Sequence, residues 1–188
     1  MRLVIDRRSH PLDPDFTALV HSASGQALSL CYQCRKCTAG CPMAHAMDFW
    51  PHKLIRLVQL GAQGPALRAH GPWLCAGCGT CSARCPNGLD VSRVMDAVKE
   101  LAEARGLSRG GRARLFHRIF LDGIRLFGRQ HEATLLARYK LSSGNLLGDL
   151  VHGLRLAIKG KVPPLPTLLR GRRSVAAIFA RTQGGGEG

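Results

Sequence analysis

The chain has 188 residues, with 27 Lys and Arg against 12 Asp and Glu for a formal net charge of +15, and it holds eight cysteines and two tryptophans. Every apolar run is broken by Arg, Lys or His before the ~18 to 20 residues of a membrane-crossing helix, so an integral membrane protein is not expected. Met1 to Arg8 returns to charge after three apolar residues, too few for a secretory leader, and the expected compartment is the cytoplasm. In that reducing setting, eight cysteines point to metal ligands or redox thiols rather than to a disulfide framework.

The length suits one domain with an appendage. Charge divides the same way: residues 1–100 carry 11 basic and 7 acidic side chains, and residues 101–188 carry 16 and 5. A basic second half calls for an acidic partner, whether a protein surface, an anionic membrane face or nucleic acid.

In chain order, Asp13-Pro14-Asp15-Phe16 predicts a helix start, with Asp13 as the cap and Pro14 at the first helical position, and a short helix leading to Cys31. Between the two cysteine runs, Leu54, Ile55, Leu57 and Val58 share one helical face, with Pro51 at the start and Gly61 as the stop. After the second run, Asp90 caps a helix whose Val91, Val94, Met95, Val98 and Leu101 form one stripe that ends near Gly106. Ser108 to Gly111 reads as a joint. Beyond it, Phe116, Ile119, Phe120, Ile124 and Phe127 form a helical stripe, and Leu146, Leu147, Leu150, Val151, Leu154 and Ile158 form another. Val162 to Pro166 must be extended, and the chain closes on a flexible tail. No stretch shows strand-period alternation. The expected class is mainly α, with a cluster-binding domain over 1–106, a basic helical partner-docking extension over 107–182 and a tail over 183–188.

The chemistry lies in a repeat. Cys31-x-x-Cys34-x-x-Cys37-x-x-x-Cys41-Pro42 recurs 44 residues later as Cys75-x-x-Cys78-x-x-Cys81-x-x-x-Cys85-Pro86, and the two runs use every cysteine in the chain. Spacings of two let one loop wrap three thiolates around a cubane, while the fourth cysteine points to the neighbouring cluster. The expected cofactors are therefore two 4Fe-4S clusters with exchanged ligands: cluster I on Cys31, Cys34, Cys37 and Cys85, and cluster II on Cys75, Cys78, Cys81 and Cys41. Zinc knuckles are the weaker alternative, since they have no use for a third cysteine at this spacing. A complete set of eight thiolates leaves no iron open to substrate. The expected role is electron transfer, with no catalytic residue in this chain.

Arg35, Lys36 and Arg84 adjoin the ligands of cluster I, whereas Ala76, Gly77, Gly79 and Thr80 adjoin those of cluster II, and this predicts a higher potential for cluster I. The eight histidines show no ligand spacing and are read as surface or capping residues. Trp73, two residues before Cys75, is read as a packing lid. Arg112, Arg114, Arg118, Arg125 and Arg129 alternate with the Phe stripe, as solvated helix surface or as a docking face for an acidic partner, with nucleic acid the least favoured occupant.

The paired runs, about thirty residues of helix apart and followed by Gly88-Leu-Asp90-Val, resemble the α-helical ferredoxin domains found in succinate dehydrogenase and anaerobic glycerol-3-phosphate dehydrogenase. Phe116-His-Arg-Ile-Phe-Leu-Asp-Gly-Ile-Arg-Leu-Phe-Gly128-Arg-Gln-His-Glu132 and Lys159-Gly-Lys-Val-Pro-Pro-Leu-Pro166 resemble the C-terminal part of the iron-sulfur C subunit of heterodisulfide reductase. The resemblance implies a hetero-oligomer in which this chain relays electrons between a flavoprotein like the reductase's A subunit and a CCG-motif protein like its B subunit, which holds the catalytic cluster. Neither a CCG nor a flavin motif occurs here. The alternative is an iron-sulfur electron carrier within a quinone-linked, membrane-associated dehydrogenase.

Overall fold

In a computed structural model the described residues are 11–144, 159 and 169–184, and the chain divides into two units, 1–111 and 112–188. All regular structure among the described residues is helical.

The first unit is built on α7 (Val91–Ala104). Asp90 starts it as the sequence predicts, its carboxylate accepting the Ser92 and Arg93 N–H groups at 3.1 and 3.2 Å. Val91, Val94, Met95 and Val98 are buried along its inner face, joined by Ala97 and Ala102, while Leu101 at the edge of the expected stripe is only half-buried. The helix stops at Gly106, where φ is +63° and the Leu107 N–H reaches back to the Ala102 carbonyl at 2.9 Å.

Around α7 pack α1 (Asp15–Ser24), α3 (Pro51–Gln59), α4 (Gln63–Leu67), α5 (Gly71–Leu74) and α6 (Thr80–Ala83). α3 buries Leu54, Ile55, Leu57 and Val58. It ends in a Schellman turn: the Gly61 N–H bonds the Val58 carbonyl, the Ala62 N–H bonds the Leu57 carbonyl, and Gly61 sits at φ +67°. α1 starts as the sequence predicts: Pro14, just before it, already has helical angles (φ −62°, ψ −28°), and the Asp13 carboxylate caps the turn by accepting the Asp15 N–H at 3.0 Å. The Asp13 N–H also donates to the Gly61 carbonyl at 2.8 Å, which ties the start of α1 to the end of α3.

The second unit contains all but the first residue of α8 (Gly111–Phe127), together with α9 (Glu132–Ser143) and a further helix, Arg172–Gly184. His131 caps α9, Nδ1 accepting the Thr134 N–H at 3.3 Å, in keeping with a capping histidine. Phe116 stacks on Phe120 and meets Tyr139 of α9 edge-on, with ring centroids 6.1 and 5.8 Å apart. Arg138 pairs with Asp122 at 3.4 Å. Among the described residues of this unit only Ile119, Gly123 and His131 are buried. The Leu146 to Ile158 stripe and Val162 to Pro166 lie outside the described residues. Gln183 and Gly184, read as the start of a tail, are helical, and the rest of that tail is also outside. No helix among the described residues is long and apolar enough to cross a membrane.

Candidate metal centre

The repeat in sequence is a repeat in backbone. Each run passes through two left-handed residues and then makes a four-residue helix, α2 (Lys36–Ala39) in the first and α6 in the second, again offset by 44. The left-handed positions are Gln33 and Arg35 at φ +64° and +67°, matched by Gly77 and Gly79 at +62° and +67°. Cys37 and Cys81, the second residues of these helices, are buried, and α2 packs on α6. Where the helices end, the Arg84 side chain lies across Gly40: a Cβ on Gly40 would come within 2.6 Å of Arg84 Cδ.

Each run is also tied to the long helix that follows it. Thr38 Oγ1 lies 2.7 Å from His52 Nδ1 and accepts the His52 N–H at 3.3 Å, at the start of α3. The equivalent hydroxyl, Ser82 Oγ, donates to Asp90 Oδ1 at 2.6 Å and accepts the Ser92 N–H at 3.3 Å, at the start of α7. Burial, reinforced by the positive charges of Arg35 and Lys53, holds His52 below its usual pKa. A neutral ring leaves Nδ1 to accept the Thr38 hydroxyl proton. Asn87, just beyond the second run, donates to the Leu30 carbonyl just before the first. The fourth cysteine of one run is thereby carried to the first three of the other.

The eight thiols surround two hollows. One is lined by Cys31, Cys34, Cys37 and Cys85, with Gln33, Arg35, His52, Ile55, Leu89 and Val91 completing its walls. The other is lined by Cys75, Cys78, Cys81 and Cys41, with Met43, Met47, Met95, two prolines and Ser92 around them. Four thiols about a hollow with largely apolar walls suit a cubane, so the donor set fits 4Fe-4S clusters. No three His, Cys, Asp or Glu side chains among the described residues are grouped as a single metal ion requires. All eight cysteines are free thiols. Burial pushes the Cys37 thiol up to about 11 and also raises Cys75, whereas the Thr80 hydroxyl beside exposed Cys78 lowers it. Bound iron reverses the penalty of burial, because the ligand is the thiolate and the cation balances its charge.

Of the three basic residues expected beside cluster I, Arg35 is among those lining that hollow, and the Arg84 side chain packs on Gly40. Trp73 is buried but borders neither hollow. Sequence reasoning missed His52 and Gln33. The only available signal was position, because His52 follows the proline that opens α3 and Gln33 replaces a glycine of the second run.

Residues 27–89 match the 4Fe-4S dicluster domain family. The chain is 30% identical over 107 residues to the iron-sulfur C subunit of the CoB–CoM heterodisulfide reductase of Methanopyrus kandleri, covering 53% of this chain and 56% of that protein. It is 28% identical over 99 residues to the C subunit of the H(2):CoB–CoM heterodisulfide,ferredoxin reductase of Methanothermobacter thermautotrophicus, covering 53% and 54%. It is also 28% identical over 97 residues to a protein of Archaeoglobus profundus described as like the C subunit of heterodisulfide reductase, covering 51% and 52%. The chain thus spans about half the length of the curated relatives it matches. Residues 27–89 are a 4Fe-4S dicluster domain carrying two 4Fe-4S clusters, within a chain similar to the iron-sulfur C subunits of heterodisulfide reductases.

Proposed function

We propose that the chain is a non-catalytic electron-transfer component of a cytoplasmic heterodisulfide-reductase-like complex, passing electrons between a flavoprotein like the reductase's A subunit and a CCG-motif protein like its B subunit. The observation that carries this reading is the pair of hollows, each lined by three cysteines of one run and one of the other. On that basis Cys31, Cys34, Cys37 and Cys85 hold cluster I, and Cys75, Cys78, Cys81 and Cys41 hold cluster II. Bound cubanes supply reversible one-electron uptake and release. The chain's own residues do the rest. Eight thiolates occupy every coordination position. The shared ligands and the α2 and α6 contact keep the two sites adjacent. Exposed Cys34 and Cys78 bring each site to the surface where a partner can approach.

Residues 107–182 we read as the extension that docks the partners. Leu121, Leu126, Leu136, Leu141 and Ile178 are exposed there, the kind of apolar surface that a permanent interface covers. Beside them Arg125, Arg138, Arg172 and Arg173 line a cleft that contains one acidic group, Asp122, and so favours an acidic partner surface.

Anaerobic affinity purification from the native host at low salt, with mass spectrometry of what stays bound, tests the assignment. Recovery of a flavoprotein and a CCG-motif protein is the expected result. Recovery of a membrane cytochrome or a quinone-linked dehydrogenase in their place would overturn the partners and leave an electron carrier serving respiration.

A further inference from the structure

The two cysteine runs follow one backbone path with different residues on it. At the two left-handed positions the second run has Gly77 and Gly79, and the space around each is open. The first run has Gln33 and Arg35 at the same φ values, where any side chain is strained. Glycine would relieve that strain, so the side chains are there for another reason, and strained residues of this kind cluster at functional sites.

Gln33 has identifiable partners. Its Nε2 lies 3.4 Å from Cys31 Sγ and 3.5 Å from Gln59 Oε1. Gln59 is itself fixed, because its Nε2 donates to the carbonyls of Leu28 at 2.8 Å and Cys31 at 2.9 Å, which turns Oε1 outward as an acceptor. Oε1 also accepts Arg56 Nη1 at 3.3 Å, and its remaining lone pair faces the Gln33 amide nitrogen, whose second N–H is left for sulfur. Residue 77, the counterpart in the second run, has no side chain with which to do this.

We propose that Gln33 sets the reduction potential of cluster I, its amide N–H donating to the Cys31 thiolate while Gln59 holds the amide in place. Reduction adds negative charge that spreads onto the sulfurs, so a fixed donor stabilises the reduced state more than the oxidised one and raises the potential. Gln59 is a positioning residue that acts through Gln33. The inference rests on the reading above that Cys31 is a ligand of cluster I.

The test is an EPR-monitored redox titration of the cluster-loaded full chain, comparing wild type with Gln33→Gly, Gln33→Leu and Gln59→Leu, with Cys31→Ser as the control. The Gln33 variants should lower the reduced-to-oxidised ratio of cluster I at fixed ambient potential about tenfold, a shift of ~59 mV for one electron, and leave cluster II in place. Gln59→Leu should move cluster I in the same direction by less. Gln33→Gly should resist urea at least as well as wild type because the strain is gone, whereas a merely structural glutamine would lose stability and potential together. If Cys31→Ser abolishes or alters one signal but neither Gln33 variant moves that signal's midpoint as much as twofold in the ratio, the inference is wrong and the ligand assignment stands. If Cys31→Ser leaves both signals unchanged, the ligand assignment fails and takes the inference with it. Should Gln33→Leu fail to hold the cluster, Gln33→Gly, whose backbone matches the second run, carries the measurement.

Discussion

Gly61→Ala tests how the first cluster loop is anchored to the core. Gly61 sits at φ +67°, and a Cβ there would lie 2.3 Å from the Asp13 carbonyl oxygen and 2.9 Å from its carbon. Both are backbone atoms, so neither can swing aside. The left-handed alanine costs about 1 kcal/mol. Moving Asp13 away opens its N–H bond to the Gly61 carbonyl at 2.8 Å and the Gln63 Nε2 bond to its carboxylate at 2.7 Å. At about 1 kcal/mol for each bond the total is about 3 kcal/mol, before any loosening of fully buried Phe16 at the start of α1. With a urea dependence of ~2 kcal/mol per molar, the unfolding midpoint followed by far-UV circular dichroism under anaerobic conditions should fall by roughly 1.5 M. Gly25→Ala is the matched control: φ is +66° and nothing lies within 4 Å of the added carbon, so only the strain of about 1 kcal/mol applies. Equal shifts for the two variants would refute the reasoning, because the difference between them is the contact with Asp13. The effect should reach the site through Gln59, two residues before Gly61, which holds the Leu28 and Cys31 carbonyls. Cluster I should therefore be lost at lower urea than cluster II.

Iron and acid-labile sulfide should each approach ~8 per chain after anaerobic reconstitution, and zinc in their place would refute two 4Fe-4S clusters. Cys85→Ser should damage the cluster bound by the first run and Cys41→Ser the cluster bound by the second, read as the loss or change of one EPR signal in each case, and the opposite pattern would overturn the exchanged assignment. Asp90→Ala should lower stability by about 1 to 2 kcal/mol in denaturant unfolding, since the carboxylate caps α7 and anchors Ser82 of the second run, while Asp90→Asn keeps an acceptor and should cost less. Reversing Arg172 and Arg173 to Glu should reduce partner recovery at low salt by about tenfold, and unchanged recovery would remove the arginine cleft from the interface.

The elements legible in the sequence were those whose signals are local. The periodic stripes of α3 and α7, with Pro51 and Asp90 at their starts and Gly61 and Gly106 at their ends, fix two helices because cap, face and stop all lie within one segment. The cysteine spacing was equally plain. What escaped depends on residues distant in sequence. The Asp13 N–H meets the Gly61 carbonyl across 48 residues. Gln33 meets Gln59 across 26 residues, and Thr38 meets His52 across 14. Of the three basic residues that adjoin cluster I ligands in sequence, Arg35 lines the first hollow and Arg84 packs on Gly40, because adjacency to a ligand does not fix where a long side chain points.

The offset of 44 explains why two sites of equal shape arise from one chain, and its exceptions explain how those sites come to differ. Shared backbone geometry, with left-handed turns at 33 and 35 and again at 77 and 79, makes both hollows the same kind of container. Gln33 and Arg35 stand against two glycines, and both line the first hollow, where His52 also stands, while the second hollow has methionines and Ser92. Polar donors and a guanidinium on one side, with soft apolar side chains on the other, stabilise added electrons unequally. A relay between two different partners requires two non-equivalent ends, and on the proposed reading the repeat supplies the path while the residues that break it supply the difference in potential.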